Sequence, residues 1–161
     1  MSRIFLAGAA GVIGRRLTPL LLARGHSVWG TTRSPVNSEL LRKLGAIGFC
    51  FGGGVVNKLA VSMGSGLDAA VPFYGLQPSA ADAAKIKAPI NAQYAELDTR
   101  ITSGWPAFDT ALSGAGVPHE AHIYKGANHG FHNDTTPRYD EAAAKEAWQR
   151  TLDWLNKYLR T

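Results

Sequence analysis

Short apolar runs alternate with helix-like segments along the chain, and this alternation restricts the possible folds more than any other feature. The expected strands are Arg3–Ala7, Ser27–Thr32, Ala46–Phe49, Asp68–Tyr74, Pro89–Glu96 and His119–Tyr124. The expected helices include Gly11–Arg24, Pro35–Leu44, Gly53–Met63, Trp105–Ser113 and Tyr139–Leu159. Strands that alternate with helices form a parallel sheet covered on both faces. We therefore predict an α/β fold, a three-layer sandwich in one domain over residues 1–161. Its six-stranded parallel sheet should have the order 2-1-3-4-5-6.

Composition narrows the class of protein. Hydrophobic residues make up 45% of the chain and charged residues 18%, as is typical of a globular protein with a substantial core. No apolar run reaches the roughly 20 residues that cross a bilayer, and the first residues do not form a signal-peptide pattern. The single cysteine excludes an internal disulfide and a cysteine-rich zinc site. We expect a cytoplasmic protein with no metal and no membrane partner, and the oligomeric state stays open.

The net charge of +5 is concentrated at the start of the chain. Residues 1–45 hold seven basic side chains and one acidic side chain, whereas residues 46–161 hold ten basic and eleven acidic ones. A solvated basic face and an anion-binding segment are both open explanations. Nucleic acid is not expected as a partner, because the arginines lie scattered along predicted helices without interleaved aromatic residues.

Cys50 lies in Gly48-Phe49-Cys50-Phe51-Gly52-Gly53, where a strand is expected to end and a helix to begin. This is the pattern of a nucleophile elbow with cysteine in place of serine. The alternative is that Cys50 is a small buried hydrophobic residue. A thiol nucleophile needs a base, and the base needs a carboxylate to fix its tautomer. Asp98 follows one expected strand and His129 follows the next, so a parallel sheet would bring them to the same edge as Cys50.

A second glycine-rich turn, with Gly8, Gly11 and Gly14, follows the first expected strand and opens the first expected helix. The backbone N–H groups of such a turn and its helix N-terminus bind a pyrophosphate. The second strand is followed by Arg33 and not by the acidic residue that binds a ribose 2′-hydroxyl, which favours NADP over NAD. The alternative is that the glycines serve only close packing and that Arg33 is a solvated loop residue.

Two family resemblances divide the chain. Residues 1 to about 46 resemble the start of NAD(P)-binding Rossmann proteins of the extended short-chain dehydrogenase and epimerase type. The motifs are Arg3-Ile4-Phe5-Leu6-Ala7-Gly8-Ala9-Ala10-Gly11-Val12-Ile13-Gly14, Leu22-Ala23-Arg24-Gly25-His26 and Thr31-Thr32-Arg33-Ser34. The Tyr-x-x-x-Lys catalytic pair of that family is not found in the sequence, so hydride transfer is not expected.

Residues from about 47 to 161 resemble the C-terminal half of dienelactone hydrolases, which are α/β-hydrolases. The motifs are the Gly48–Gly53 segment, Ala69-Ala70-Val71-Pro72-Phe73-Tyr74-Gly75, Ala95-Glu96-Leu97-Asp98 and Tyr124-Lys125-Gly126-Ala127-Asn128-His129-Gly130-Phe131-His132. The resemblance implies that Cys50 is the nucleophile, Asp98 the orienting acid and His129 the base. It also implies that the Phe51 N–H donates a hydrogen bond to the oxyanion.

The same resemblance implies weak chemistry, because the loop that carries the family's second oxyanion donor is expected to be replaced. Loss of one such donor lowers the rate about 10²–10³-fold. We therefore expect weak or no hydrolysis of a small-molecule ester or lactone, with no required cofactor. The two resemblances meet within Lys43–Phe49, which favours an engineered chimeric scaffold. A natural small cysteine hydrolase and an NADP-binding module are the alternatives.

Overall fold

A parallel sheet forms the centre of the molecule. The computed structural model describes residues 3–7, 20–21, 24, 27–30 and 44–159. The strands of the sheet are β1 (Arg3–Ala7), β2 (Ser27–Gly30), β3 (Leu44–Phe49), β4 (Ala69–Phe73), β5 (Ile90–Ala95) and β6 (His119–Tyr124). Their order is β2-β1-β3-β4-β5-β6. Strands β3 to β6 belong to the continuous stretch 44–159, and β1 joins them through parallel pairs from Arg3 with Leu44 to Ala7 with Gly48. The α/β class and the parallel sheet predicted from the sequence are confirmed.

Helices connect strands β3 to β6 and cover the sheet. Those in the described residues are α1 (Phe51–Met63), α2 (Ala80–Ala83), α3 (Thr99–Thr102), α4 (Trp105–Gly114) and α5 (Glu141–Leu159), and a 3₁₀ turn at Gly64–Gly66 follows α1. The predicted helices Gly11–Arg24 and Pro35–Leu44 lie largely outside the described residues. No helix in the described part of the chain has the length and apolar character needed to span a membrane.

The core has two halves, one on each face of the sheet. Successive strand residues point to opposite faces, so Ala46 and Ala70 pack with side chains of α1 and α4, whereas Ile47 and Val71 pack with those of α5. Because both faces are covered, β3 and β4 read as continuous apolar runs in the sequence and not as alternating ones. This covering holds the carboxyl ends of the strands in fixed positions, and the loops that follow them carry the polar side chains described below.

The start of β3 differs from the prediction. The sequence predicts that a helix continues through Leu44 and ends at Gly45, but both residues belong to the strand. The Leu44 N–H donates to the Asp68 carboxylate over 2.7 Å, and the Asp68 N–H donates to the Leu44 carbonyl over 2.8 Å. A Cβ at Gly45 would lie 2.7 Å from the Leu159 side chain, so the glycine lets α5 approach the strand closely. Partners far along the chain therefore decide this boundary.

Two helix boundaries also shift. Helix α1 begins at Phe51, two residues before the predicted Gly53, because the turn at Cys50 leads directly into the helix. Helix α5 begins at Glu141, not at Tyr139. Asp140 precedes it, and its side chain accepts a 3.0 Å hydrogen bond from the Ala143 N–H, which caps the helix.

Candidate active site

Cys50 occupies a strained turn between β3 and α1. Its φ is 54° and its ψ is −119°, a backbone conformation that residues with a side chain rarely adopt. The Cys50 N–H donates to the Phe73 carbonyl at the end of β4 over 3.1 Å, which anchors the turn to the neighbouring strand. A Cβ at Gly48 would overlap the carbonyl of Gly52, so the turn closes only with glycine there. This is the geometry of the nucleophile elbow that the glycine spacing predicts.

Two glycines, Gly53 and Gly75, let the first turn of α1 lie directly against the end of β4. A Cβ at Gly53 would lie 2.5 Å from the Phe73 carbonyl oxygen, and a Cβ at Gly75 would overlap the backbone of Gly53 and Gly54. Cys50 is the N-cap residue of the 13-residue helix α1. The first N–H groups of a helix have no partner within the helix. The positive end of the helix dipole favours a negative charge at this place.

Asp98 and His129 form a hydrogen-bonded pair at the same edge of the sheet. The His129 Nδ1 and the Asp98 Oδ2 are 2.5 Å apart, and the side chains are 26% and 7% exposed. The loops after β5 and β6 are fastened together, since the Leu97 N–H donates to the Ala127 carbonyl over 3.0 Å. The pair is thus held by backbone hydrogen bonds at both strand ends, and the carboxylate fixes the orientation of the imidazole.

A cavity of about 550 Å³ lies above the turn, with Cys50, Phe51 and His129 among its lining residues. Most of the wall is apolar, as is common in sites for small molecules. The apolar lining includes Val55, Val61, Leu76, Pro78 and Ile101, and the charged lining consists of Lys58, Asp82 and Arg100. Asp82 is paired with Lys85 over 2.7 Å. The cavity therefore offers an apolar contact surface next to a thiol and an imidazole.

The surroundings of the Cys50 sulfur favour the neutral thiol over the thiolate. Burial raises the pKa of the Cys50 thiol; the positive charge of Arg138 opposes this shift and the negative charge of Asp98 adds to it. A thiol in this state is a poor nucleophile until a base removes its proton. His129, which lines the same cavity, is the base available among the described residues.

A buried amide, Asn57, and a half-buried amide, Gln77, position the loop that forms one wall of the cavity. Asn57 of α1 donates from Nδ2 to the Leu76 carbonyl over 3.0 Å. Gln77 donates from Nε2 to the Tyr94 hydroxyl and to the Ile101 carbonyl, each over 3.0 Å. Sequence patterns do not reveal the roles of these two residues, because their partners lie 17 to 24 positions away. For Asn57, the one signal in the sequence is a polar side chain within an otherwise apolar helix.

The structure brings together four of the residues singled out from the sequence. Cys50, Phe51 and His129 line one cavity, and Asp98 is hydrogen-bonded to His129. The proposed nucleotide site of Gly8, Gly11, Gly14 and Arg33 lies outside the described residues. Within the described ranges, no group of three or more His, Cys, Asp or Glu side chains could hold a metal ion.

The order of the elements, with a cysteine elbow after β3 and an aspartate–histidine pair after β5 and β6, defines an α/β-hydrolase fold. The model of the dienelactone hydrolase family matches residues 31–159. The chain is 37% identical over 123 residues to a Saccharolobus solfataricus protein named "Putative carboxymethylenebutenolidase", covering 76% of this chain and 47% of that one. It is also 35% identical over 122 residues to Protein usf of Aquifex pyrophilus, covering 73% of this chain and 52% of that one. The chain belongs to the dienelactone hydrolase family.

Solved structures agree with this fold over almost the whole chain. A structure described as "Putative Dienelactone Hydrolase" from Klebsiella pneumoniae superposes with a TM-score of 0.80 at 22% identity, covering 97% of this chain and 86% of that one. Dienelactone hydrolase from Anabaena variabilis gives a TM-score of 0.69 at 16% identity, covering 98% and 86%. The chain spans about half the length of the curated relatives it matches.

These comparisons correct the division of the chain into two families. The family match begins at residue 31, about 16 positions before the predicted junction, and the hydrolase superposition extends over 97% of the chain. The predicted Rossmann segment of residues 1–46, the engineered chimera and the binding of NADP receive no support from them. A strand followed by a glycine turn and a helix is common to α/β folds in general, so the motifs of residues 1–46 do not by themselves indicate a Rossmann segment.

Proposed function

We propose that this protein hydrolyses a small carboxylic ester or lactone through a covalent thioester on Cys50. The observation that carries the proposal is the 2.5 Å hydrogen bond between Asp98 and His129, because the cavity lined by this histidine also contains the elbow cysteine. Nucleophile, base and orienting acid are the three groups that acyl transfer requires. The family supports the same reaction class, since dienelactones are cyclic esters.

The first step is proton transfer from the Cys50 thiol to His129. Because Nδ1 is held by Asp98, Nε2 is the nitrogen left to accept the proton. The carboxylate of Asp98 stabilises the imidazolium that forms. The thiolate sulfur then attacks the carbonyl carbon of the ester, and a carbon–sulfur bond forms while the carbonyl oxygen becomes an oxyanion.

The N-terminus of α1 stabilises that oxyanion. The Phe51 N–H is the first N–H of the helix and has no partner within it. As the tetrahedral intermediate collapses, the carbon–oxygen bond to the leaving group breaks, and the His129 imidazolium returns its proton to the departing alkoxide. Water then attacks the thioester with His129 as the base, which releases the acid and restores the thiol.

A p-nitrophenyl acetate assay on the purified chain tests the proposal. We expect release of p-nitrophenolate, an acetyl adduct on Cys50 in the intact-protein mass spectrum, and loss of both in Cys50→Ala. Cys50 is the only cysteine in the chain, so the adduct has a single possible thiol site. Turnover that persists unchanged in a folded Cys50→Ala variant would refute the proposal.

The chain offers a matched control for the base. His119 is also hydrogen-bonded to an aspartate, with 3.1 Å between its Nε2 and the Asp109 Oδ1, but it lies on β6 and does not line the cavity. We expect His129→Ala to abolish acetylation of Cys50 and His119→Ala to leave it unchanged. Equal losses in the two variants would indicate general damage to the fold and not removal of a base.

A further inference from the structure

Two large apolar side chains beside the nucleophile are exposed to solvent. Phe51 is 87% exposed and Leu76 is 62% exposed, which makes them the most exposed large apolar residues in the described part of the chain. Both line the cavity that contains Cys50. Single exposed apolar side chains are common on protein surfaces, but a pair that lines one cavity is typical of a binding site for apolar groups.

The cavity is elongated along helix α1. The residues of this helix that line it are Phe51, Gly54, Val55, Lys58 and Val61. Their spacing of three and four positions places them on one face of the helix. Val61 is ten residues beyond Phe51, which at a rise of about 1.5 Å per residue corresponds to a length of about 15 Å. The cavity is therefore a groove that begins at Cys50 and follows one face of α1.

The charged residues of the groove leave its inner surface apolar. Asp82 is paired with Lys85 over 2.7 Å and accepts a 3.0 Å hydrogen bond from the Ser79 hydroxyl. Lys58 and Arg100 are exposed. Long cationic side chains in such positions keep the charge in water, while their CH₂ groups cover apolar surface. A ligand in the groove therefore meets mainly apolar atoms.

The reaction on Cys50 decides which part of an ester begins next to this groove. The carbonyl oxygen must lie at the Phe51 N–H, and the leaving oxygen must lie at His129, which returns the proton to it. The remaining substituent of the carbonyl carbon is the acyl chain. It starts beside the first turn of α1, where the groove also starts.

We propose that the groove along α1 binds the acyl chain of the substrate, so that esters of medium-length aliphatic acids are preferred, with Leu76 and Val61 as specificity-determining residues. A chain of about eight carbon atoms fits within the roughly 15 Å of the groove. The inference rests on the proposed function, because it names the acyl group that this reaction transfers. Full burial of one CH₂ group strengthens binding about fourfold. Since Phe51 and Leu76 leave the groove open to solvent, we expect about two- to threefold for each CH₂.

A series of p-nitrophenyl esters tests the assignment. We expect kcat/KM to increase from acetate through butyrate and hexanoate to octanoate, by about two- to threefold per CH₂. Leu76→Ser should lower the ratio of octanoate to acetate kcat/KM about fivefold or more, because the chain loses an apolar contact. The matched control is Ile123→Ser, which replaces a 49% exposed apolar residue on β6 that does not line the cavity. This variant should keep the wild-type ratio.

Acetate as the best substrate would overturn the inference, as would equal changes of the ratio in Leu76→Ser and Ile123→Ser. Should Leu76→Ser not fold, Val61→Thr decides, since threonine keeps the shape of valine but adds a hydroxyl. It must lower kcat/KM for octanoate more than for butyrate, and equal effects on both esters overturn the inference.

Binding without a reaction separates the groove from the chemistry. Calorimetry of Cys50→Ala compares N-methyloctanamide with N-methylacetamide, and we expect the octanamide to bind at least about tenfold more tightly. Equal affinity of the two amides would overturn the inference. Tighter binding of the octanamide together with no turnover of any ester would reject the proposed function and support the acyl-chain groove.

Discussion

The Cα of Gly48 faces the carbonyl of Gly52 so closely that a Cβ at Gly48 would overlap it. Gly48 ends the buried part of β3 and Gly52 lies in the first turn of α1, so this contact closes the turn that presents Cys50. We predict that Gly48→Ala destabilises the protein by about 2–3 kcal/mol, because backbone atoms cannot move aside as a flexible side chain can. Urea unfolding measures the change.

Gly114→Ala is the control for that substitution. Gly114 ends α4, and nothing lies within 4 Å of the position its Cβ would take. Alanine favours a helix over glycine by about 1 kcal/mol, so this variant should match or exceed the wild type in stability. If Gly48→Ala and Gly114→Ala unfold at the same urea concentration, the close approach at the turn is not required.

Asp98→Asn should leave the fold intact and slow ester turnover about 10³–10⁴-fold. The amide fills the same space but can present its NH₂ group to His129, which favours the wrong tautomer and no longer stabilises an imidazolium. Steady-state kinetics with p-nitrophenyl acetate measure the loss. The matched control is Asp109→Asn, which alters the second aspartate–histidine pair outside the cavity. Comparable losses in the two variants would contradict a specific role for Asp98.

The raised pKa of the buried Cys50 thiol predicts a pH dependence of stability. In the unfolded chain the thiol ionises near its usual pKa of about 8.5, whereas in the folded protein it keeps its proton to higher pH. The unfolded state therefore binds fewer protons between the two pKa values, and the free energy of unfolding must fall as the pH rises through this window. In the Cys50→Ala variant, the free energy of unfolding should not show this part of its decrease with rising pH. Urea titrations from pH 7 to 10 measure it, and parallel curves for both proteins would refute the shift.

The sequence revealed the site through local chemistry and missed what depends on distant contacts. The glycine spacing around Cys50 and the positions of Asp98 and His129 after successive strands follow from patterns within a few residues. The sequence predicts a helix through Leu44 because nothing near this residue reveals its hydrogen bond to Asp68, 24 positions away. The role of Gln77 is hidden from sequence patterns for the same reason, since its partners lie 17 and 24 positions away.

The N-terminal segment shows a different limit of sequence patterns. A strand, a glycine turn and a helix are compatible with several α/β folds, so the motif around Gly8 could not distinguish a nucleotide site from a hydrolase loop. The family match begins at residue 31, which favours a hydrolase segment there over a junction of two families near residue 47. In contrast, the elbow pattern at Cys50 was specific because it combined a spacing of glycines with a strand before it and a helix after it.

Gln77 should matter more for substrate binding than for chemistry. Its side-chain amide bridges the cavity wall to Tyr94 and Ile101, each over 3.0 Å. We expect Gln77→Ala to raise KM several-fold with a smaller effect on kcat, because the loop loses two hydrogen bonds while the Asp98–His129 pair is untouched. The control is Gln149→Ala, which removes an exposed glutamine bonded to Asp153. An unchanged KM in Gln77→Ala would show that other contacts hold the wall.

His132 should make the protein less stable in mild acid. Its ring packs between aromatic side chains, with centroids 5.3 Å from those of Phe49 and Phe73, and its Nε2 has no hydrogen-bond partner among the described residues. Burial lowers the pKa of His132, and it also lowers that of His122. As the pH falls below the usual histidine pKa of about 6.5, the unfolded state takes up protons that the folded state still rejects. The free energy of unfolding must therefore decrease with falling pH.

His132→Phe should flatten that dependence, because phenylalanine fills the aromatic pocket and does not titrate. We expect a gain in stability at pH 7 from removal of the unpartnered nitrogen, and a larger gain at pH 5 from removal of the titration. Part of the acid dependence should remain in this variant because His122 still titrates, and His122→Phe combined with His132→Phe should remove more of it. Urea unfolding of the three proteins at pH 5, 6 and 7 measures both effects. A stability difference between wild type and His132→Phe that stays constant over this range would show that His132 titrates at the same pH in the folded and unfolded chains.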